Sequence, residues 1–345
     1  MPICKWRLIT RMSKFEKKFG KYAIRDLSLI LIICYAIGYV LAFIDGRSGN
    51  NFLGYLTLDP YAILHGQIWR LITWILIPPG TLDPFTIIML FFYYSIGTSL
   101  ESAWGTYRYN VYLFSGMLFT ILGGFLAYGI YYFTEYHHAE KTATDLLNGT
   151  DNVSVEKIDK GLSLDGPGND TALIFYPGAK NEYTAYLPLF VELAEKGVDC
   201  YLIQMPLNFA VFGQDSADSV INSTNYTHYL LAGHSLGGVS ASAYATHSNN
   251  TDGVVLLAAY PTEEINKPVL SIYGSDDGIL NMESYKKALP LMSNMTEYVI
   301  QGGNHAQFAY YGIQEGDNPA KISHQDQQTQ TVDKILEFIN NITMS

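Results

Sequence analysis

The second half of the chain contains a serine in a sequence pattern that can produce a nucleophile. Ser235 lies between Gly233 and Gly237, in the pattern Gly-x-Ser-x-Gly. This pattern is typical of a strained turn from a strand into a helix, which exposes the serine hydroxyl. A serine hydroxyl is a weak nucleophile until a base removes its proton. Ser235 therefore needs a base, and an acid to orient that base, from elsewhere in the chain.

Candidates for the acid and the base follow Ser235 in the sequence. The stretch Gly-Ser-Asp-Asp at 274–277 supplies two carboxylates. In hydrolases with this pattern the acid stands three residues after the glycine, which favours Asp277 and leaves Asp276 as a turn residue and second choice. His305, in a glycine-rich turn after a predicted strand, is the candidate base. In such a triad the serine attacks an acyl carbonyl, the histidine takes and returns the proton, and the aspartate fixes the imidazole tautomer.

Acyl transfer also requires two backbone N–H groups that bind the negatively charged oxygen of the intermediate. The first candidate is the N–H of Leu236, directly after the serine. The second is the N–H of Ala179, in the turn Pro-Gly-Ala-Lys that follows a predicted strand. Gly178 in this turn lets the backbone approach a ligand closely.

The remaining histidines are weaker candidates for the base. His234 lies inside the serine turn and is expected to point away from the nucleophile. His228 begins a predicted strand, His247 ends a helix and His324 precedes one, so we interpret them as structural or solvated. The histidine pair at 137–138 has no cysteine or further histidine nearby, and we expect no metal site there.

The segments that carry these residues alternate between strands and helices. Apolar runs predict strands at 171–176, 198–204, 226–232, 254–259, 268–273 and 296–300. Helices are predicted at 183–196, 213–222, 236–247, 282–289 and 326–340. Continuous apolar strands separated by helices predict an α/β fold, with a mostly parallel sheet covered on both faces.

Four stretches resemble the α/β-hydrolase superfamily, most closely its bacterial branch called alpha/beta hydrolase family 5: 172–179, 231–238, 270–278 and 302–308. The resemblance makes 171–345 an α/β-hydrolase domain and implies hydrolysis of a carboxylic ester or related acyl compound, with no metal or organic cofactor. Many members insert a cap after the strand at 254–259, but only 260–267 separate that strand from the next. We therefore expect no large cap, and an open site roofed at most by loops such as 205–213. The apolar residues of that loop favour a small acyl-ester or lipid-like substrate.

The first half differs from the second in charge and hydropathy. Residues 1–133 carry 11 Lys and Arg against 6 Asp and Glu, whereas the rest of the chain carries 10 and 26. An acidic second half argues against nucleic-acid binding, which needs a basic face.

Eight Lys and Arg in 1–26 predict a basic cytoplasmic tail. Apolar segments then predict a transmembrane domain of about four spans over 27–133, at 27–44, 62–77, 85–100 and 109–133. A linker and an opening hairpin are expected at 134–170.

Two stretches of the first half resemble rhomboid-like and derlin-like membrane proteins. They are Gly-Gln-Ile-Trp-Arg-Leu-Ile-Thr at 66–73 and Leu-Glu-Ser-Ala-Trp-Gly at 100–105. Active rhomboids carry Gly-x-Ser-Gly on the fourth span and a histidine on a later one. The corresponding stretch here, 113–116, begins with leucine, and no later apolar span brings a histidine. The resemblance implies an anchor or scaffold that is not a protease, and we interpret Ser115 and Gly116 as a small-residue contact between helices.

These patterns support two hypotheses, a multi-pass membrane-tethered serine hydrolase of esterase or lipase type and a non-catalytic scaffold with an inactive hydrolase domain. The intact Ser235, Asp277 and His305 favour the enzyme.

The side of the membrane on which the hydrolase lies depends on the number of spans. Four spans would return the hydrolase to the cytoplasm, whereas a re-entrant segment at 62–77 would leave it outside, the side that the family-5 resemblance favours. Eight Asn-x-Ser/Thr sequons fit a secretory route but are equally expected by chance in an Asn-rich chain. Because all catalytic candidates lie beyond Asp151, we expect a truncated protein beginning there to be soluble and active.

Overall fold

The computed structural model describes residues 14–168 and 170–343. The chain forms two compact units, which divide between Tyr132 and Phe133. Half of the expected basic tail, 1–13, lies outside the described residues.

The first unit consists of helices. They are α1 (Lys14–Phe19), α2 (Leu27–Ser48), α3 (Pro60–Leu64), α4 (Arg70–Thr73), α5 (Pro84–Trp104) and α6 (Thr106–Thr134). Among the described residues, α2 and α6 are long and apolar enough to cross a membrane. α5 is similar in length to α2, and it begins where Asp83 accepts a hydrogen bond from the N–H of Thr86. The expected helical unit with long apolar helices is therefore confirmed.

The segment 62–77, taken from the sequence as a membrane span, is not one continuous helix. It holds part of α3, then Gly66 with a φ of 96°, and then the short α4. The side chain of Arg70 is buried, and its guanidinium donates to the carbonyl oxygens of Gly54 at 2.7 Å and Thr57 at 3.1 Å. A buried guanidinium needs such oxygen partners, and they bind the segment to the preceding loop. The expectation of a spanning helix here is wrong.

Close packing within the first unit occurs at Gly97 of α5. A Cβ atom there would lie 2.1 Å from the hydroxyl oxygen of Ser28 in α2 and 2.5 Å from that of Tyr109 in α6. The two hydroxyl groups share a hydrogen bond of 2.5 Å. At Gly116, by contrast, a Cβ atom would meet no atom of the described chain within 4 Å. The small-residue contact expected at Gly116 is therefore absent from the described residues, and Gly97 has that role.

The second unit contains one eight-stranded sheet. Its strands are β1 (Ser154–Ile158), β2 (Gly161–Asp165), β3 (Thr171–Tyr176), β4 (Asp199–Ile203), β5 (His228–His234), β6 (Gly253–Leu257), β7 (Val269–Gly274) and β8 (Met295–Ile300). Their order across the sheet is β1-β2-β4-β3-β5-β6-β7-β8. β2 runs antiparallel to both of its neighbours, and all other pairs are parallel. The predicted, mostly parallel sheet is confirmed.

Helices cover both faces of this sheet, as predicted. They are α7 (Lys141–Thr144), α8 (Leu187–Glu195), α9 (Ala217–Ile221), α10 (Leu236–His247), α11 (Met282–Ala288) and α12 (His324–Thr343). Leu173 and Phe175 of β3 belong to a core that α8 and α12 complete. Ala172 and Ile174 of the same strand belong to a second core, completed by α9 and α10. Because side chains alternate along a strand, one buried strand contributes side chains to both cores.

Residues 137–148 pack as part of the second unit, although the sequence suggested a linker there. His137 donates its N–H to the carbonyl oxygen of Lys180 at 2.7 Å and accepts from the N–H of Glu182 at 2.9 Å. Ala143 of α7 is fully buried. These contacts bind segment 137–148 to the turn that follows β3.

Deletion of segment 137–148 is expected to destabilise the second unit. A truncated protein beginning at Asp151 loses the hydrogen bonds of His137 and the buried Ala143, whereas one beginning at Glu135 keeps them. We expect the shorter protein to be less stable by about 2–4 kcal/mol, since each hydrogen bond contributes about 1 kcal/mol and apolar burial adds to it. Urea unfolding of the two truncated proteins measures this difference, and equal midpoints would contradict it.

Candidate active site

Ser235 occupies the turn from β5 into α10 with a φ of 53° and a ψ of −126°. A positive φ is unfavourable for a residue that carries a side chain, so the surrounding structure must hold it. The N–H of Ser235 donates to the carbonyl oxygen of Leu257 at 2.9 Å, and its own carbonyl oxygen accepts from the N–H of Gly238 at 3.0 Å. These bonds fix the turn and leave Ser235 partly exposed.

Two glycines allow the serine turn to pack. A Cβ atom at Gly233 would lie 2.5 Å from the backbone of Gly237. A Cβ atom at Gly237 would lie 2.2 Å from the carbonyl oxygen of Tyr176, at the end of β3. Larger residues would therefore separate α10 from the sheet. The spacing of the sequence pattern has a direct steric reason.

Asp277 and His305 meet on the loops that follow β7 and β8. The carboxylate oxygen Oδ2 of Asp277 lies 2.8 Å from Nδ1 of His305, and the two side chains are only 2% and 1% exposed. The other oxygen, Oδ1, accepts from the N–H groups of Ile279 at 2.8 Å and Leu280 at 2.7 Å. Asp277 is thus oriented by its own loop, and Oδ2 is left to bind the imidazole.

Asp276, the second choice for the acid, faces a different partner. Its carboxylate lies 2.9 Å from Nζ of Lys321. Its N–H donates to the carbonyl oxygen of Gly303 at 2.9 Å, a contact that a turn residue makes. The structure therefore brings Asp277, and not Asp276, to His305.

Ser235 and His305 line one cavity of about 220 Å³. Nε2 of His305 is buried, and it has no hydrogen-bond partner in the described part of the chain. The rest of the lining is mainly apolar: Leu236, Val239, Ala258, Ala259, Tyr260, Ile279, Leu280 and Asn281. A cavity of this kind suits a ligand with an apolar group beside one polar reacting centre.

The two candidate oxyanion donors lie on adjoining backbone segments. Leu236 is the first residue of α10, and the Cβ clearance at Gly237 puts this helix start directly against the end of β3. Ala179 follows β3, and the N–H groups on both sides of it are engaged. That of Gly178 donates to the hydroxyl of Tyr186 at 3.1 Å, and that of Lys180 donates to the carbonyl oxygen of Asn208 at 2.8 Å. Within the described residues, neither candidate N–H donates a hydrogen bond.

Tyr186 and His234 form a buried polar contact that the sequence analysis missed. The hydroxyl of Tyr186 accepts from the N–H of Gly178 and from the side-chain amide of Asn181, and it lies 2.8 Å from Nδ1 of His234. Since two donors fill its lone pairs, the hydroxyl must donate to Nδ1. The ring of His234 lies 4.4 Å from that of His305. Gly178 and Asn181 precede Tyr186 by only eight and five residues, but His234 is 48 residues away, and no local pattern marks that contact.

The other histidines have surface partners or aromatic contacts. Nδ1 of His228 lies 3.1 Å from the carboxylate of Asp252, and Nε2 of His247 lies 3.1 Å from that of Glu263. The ring of His324 stacks on Tyr310. Among the described residues, no group of three or more His, Cys, Asp or Glu could hold a metal ion.

The approach to the cavity is formed by loops. Residues 258–268 connect β6 to β7 without a helix, so no large cap is inserted there. The loop at 205–213 forms two short turns, and Leu207 and Phe212 on it are each 55% exposed. Asn208 joins this loop to the turn that carries Ala179 through the bond to Lys180. Exposed apolar side chains therefore lie on a loop that adjoins a candidate oxyanion donor.

The burial of His234 predicts a pH dependence of stability. Burial, and next the neighbouring His305, hold the pKa of His234 well below 6.5. The unfolded chain therefore binds a proton that the folded chain does not as the pH falls below about 6.5, and stability drops by up to about 1.4 kcal/mol per pH unit. A His234→Gln variant lacks this titration. We expect its stability to fall less than that of the wild type between pH 6.5 and 5.5, by about 1 kcal/mol, in urea unfolding of the unit beginning at Glu135. Parallel curves would contradict a neutral His234.

Several solved structures are similar to part of this chain at low sequence identity. Est1E from Butyrivibrio proteoclasticus is 14% identical, with a TM-score of 0.41, over 55% of this chain and 100% of its own. A monoacylglycerol lipase from Paleococcus ferrophilus is 14% identical, with a TM-score of 0.42, over 54% and 99%. A bacterial membrane phospholipase A is 13% identical, with a TM-score of 0.45, over 67% and 99%. No curated protein matches the sequence.

Two protein families match separate parts of the chain. Residues 172–329 match the family described as "Alpha/beta hydrolase family". Residues 27–149 match "Eukaryotic integral membrane protein (DUF1751)". Both resemblances expected from the sequence, to α/β-hydrolases and to a rhomboid-like or derlin-like membrane family, are confirmed. The first part of the chain is thus similar to an integral membrane family, and the second part is similar to the alpha/beta hydrolase family.

Proposed function

We propose that the protein is a membrane-tethered serine hydrolase that cleaves carboxylic esters or related acyl compounds. The observation that carries the proposal is the buried contact of Asp277 with His305, whose side chain lines a cavity together with Ser235. These are the three residue types that perform nucleophilic acyl transfer, and they follow three parallel strands of one sheet.

The hydrogen bonds of Asp277 define the chemistry available to His305. Oδ1 of Asp277 already accepts two backbone N–H groups, so Oδ2 accepts the Nδ1–H of the imidazole. This fixes the tautomer with a lone pair on Nε2, the atom that has no hydrogen-bond partner among the described residues. Nε2 is therefore available to take the hydroxyl proton of Ser235.

The reaction then proceeds in two acyl transfers. Oγ of Ser235 bonds to the carbonyl carbon, and its proton moves to Nε2 of His305. The N–H groups of Leu236 and Ala179 bind the resulting oxyanion. When the bond to the leaving alcohol breaks, His305 returns the proton to that alcohol, and an acyl-enzyme remains. Water, deprotonated by His305, then attacks the acyl-enzyme. His305 returns this proton to Oγ of Ser235 as the acyl–oxygen bond breaks, which releases the acid and the free serine.

The cavity supports a small acyl-ester or lipid-like substrate. Its lining is mainly aliphatic, and the loop with exposed Leu207 and Phe212 offers further apolar surface nearby. The apolar part of the substrate is held by burial, which contributes about 0.8 kcal/mol for each CH₂ group. No metal or organic cofactor takes part in this mechanism, and the net charge of −11 does not suit nucleic acid.

The first unit supplies the tether. α2 and α6 are long and apolar enough to cross a membrane, and we take α5, which at 21 residues is nearly as long as α2, as a third crossing. Starting from a cytoplasmic N-terminus, these three crossings would carry the second unit to the outer side. The broken segment at 62–77 supports this odd number of crossings over the four expected from the sequence. We therefore assign the second unit to the extracytoplasmic side of a multi-pass protein. Protease added to intact cells should degrade the second unit, and protection from protease would reverse this assignment.

Ser235→Ala should abolish both ester hydrolysis and labelling by a fluorophosphonate probe. Loss of a triad nucleophile leaves only the catalysis supplied by binding and the oxyanion donors, so turnover should fall at least about 10³-fold. Ser115→Ala in the first unit is the matched control and should retain full activity. A wild-type protein that neither labels nor hydrolyses esters would support the alternative of a non-catalytic scaffold.

Asp277→Asn and Asp276→Asn separate the two candidate acids. An amide at 277 favours the wrong histidine tautomer, and we expect turnover to fall by about 10³–10⁴-fold. Asp276→Asn keeps its backbone bond to Gly303 and removes only the ion pair with Lys321, so its turnover should stay within about threefold of wild type. Steady-state hydrolysis of a short-chain p-nitrophenyl ester measures both, and the reverse order would move the acid to Asp276.

A further inference from the structure

The peptide groups on both sides of His305 are held by side chains outside the proposed triad. Gln327 of α12 is fully buried, and its side-chain amide pairs with the backbone of Asn304. The N–H of Asn304 donates to Oε1 of Gln327 at 3.0 Å, and Nε2 of Gln327 donates to the carbonyl oxygen of Asn304 at 2.8 Å. α12 therefore fixes the residue that precedes the histidine.

Asp317 fixes the residue that follows His305, and it also binds the loop of the acid. Oδ2 of Asp317 accepts from the N–H of Ala306 at 2.9 Å. Oδ1 accepts from the N–H of Gly278 at 2.9 Å, and Gly278 directly follows Asp277. One carboxylate thus joins the neighbour of the proposed base to the neighbour of the proposed acid.

The turn that carries Asp317 fits closely against both loops. A Cβ atom at Gly278 would lie 2.6 Å from the carbonyl oxygen of Gly316, so the loop that carries Asp277 has no space to move closer to this turn. The side-chain amide of Asn304 donates to the carbonyl oxygen of Asn318 at 2.8 Å, which binds the base loop to the same turn. The separation of the two loops is therefore defined at this turn.

The two loops are also joined nearer the sheet, where Asp276 N–H donates to Gly303. Asp317 joins the two loops again at Gly278 and Ala306, the residues that directly follow Asp277 and His305. The acid and the base belong to loops that follow different strands, so relative motion of the loops would lengthen their hydrogen bond of 2.8 Å. Hydrogen bonds to a carboxylate are shorter and stronger than those between neutral groups, which suits a fixed spacer.

We propose that Asp317 is a positioning residue for the hydrolytic site, which holds the loops of Asp277 and His305 at the distance that their hydrogen bond requires. The inference rests on the proposed function. Asp317 is not among the residues that line the cavity, and it acts through the acid and the base without touching the substrate.

Kinetics of Asp317→Ala in the full-length protein test this role, with Glu315→Gln as the control that removes a nearby surface charge. We expect kcat for p-nitrophenyl acetate to fall about 30–100-fold while KM changes less than about threefold, because the alignment of the reacting groups is lost and the substrate cavity is kept. Asp317→Asn retains one acceptor oxygen and should show an intermediate loss. Glu315→Gln should match the wild type.

A double variant distinguishes positioning from general stability. If Asp317 acts through the contact between Asp277 and His305, Asp317→Ala should lower kcat less than about threefold when Asp277 is already Asn. A residue that only stabilises the fold would lower kcat equally in both backgrounds, in proportion to the folded fraction measured by thermal unfolding. That result, or a full kcat in Asp317→Ala, overturns the proposal. Inactivity of the wild type would instead overturn the proposed function.

Discussion

The site depends on the close approach of three backbone segments around the strained conformation of Ser235. Ser235 keeps a φ of 53° at the turn where β5 and α10 meet, and this turn has no room for a side chain at Gly233 or Gly237. The same lack of space puts the start of α10 against the end of β3. The turn that follows β3 therefore lies beside the serine, where it can supply a second N–H group. A single steric constraint thus orients the proposed nucleophile and the proposed oxyanion donors together.

The proposed acid and base are positioned by layers of hydrogen bonds around them. The backbone N–H groups of the acid loop saturate one oxygen of Asp277, and α12 pairs with the residue before His305. Asp317 links the two loops. Tyr186 connects the turn of Gly178 and Ala179 to His234. The ring of His234 in turn lies against that of His305, the proposed base. Each of these partners restrains one of the loops that carry Ala179, Asp277 and His305, which lie outside regular strands and helices.

The two units differ in the solvent that their surfaces suit. The first unit exposes apolar side chains along α2, α5 and α6, such as Phe43, Phe91 and Phe119, in agreement with its match to an integral membrane family. The second unit buries its apolar residues in two cores on either side of the sheet. Segment 137–148 packs on the second unit, so this compact unit begins before its first strand.

The sequence alone determined the features that depend on local spacing. The pattern around Ser235 could be recognised because its two glycines lie within two residues of the serine. The alternation of apolar runs with helical segments indicates a sheet that is buried on both faces. Only the tertiary structure decided three further features: the burial of Arg70, the packing of segment 137–148, and the contacts of Tyr186, Asp317 and Gln327. Each of these features includes a contact outside its own strand or helix, as between Tyr186 and His234 or between Asp317 and Gly278, and no local period records such a contact. The same reason left Asp276 and Asp277 as alternatives until the structure brought one carboxylate to His305 and the other to Lys321.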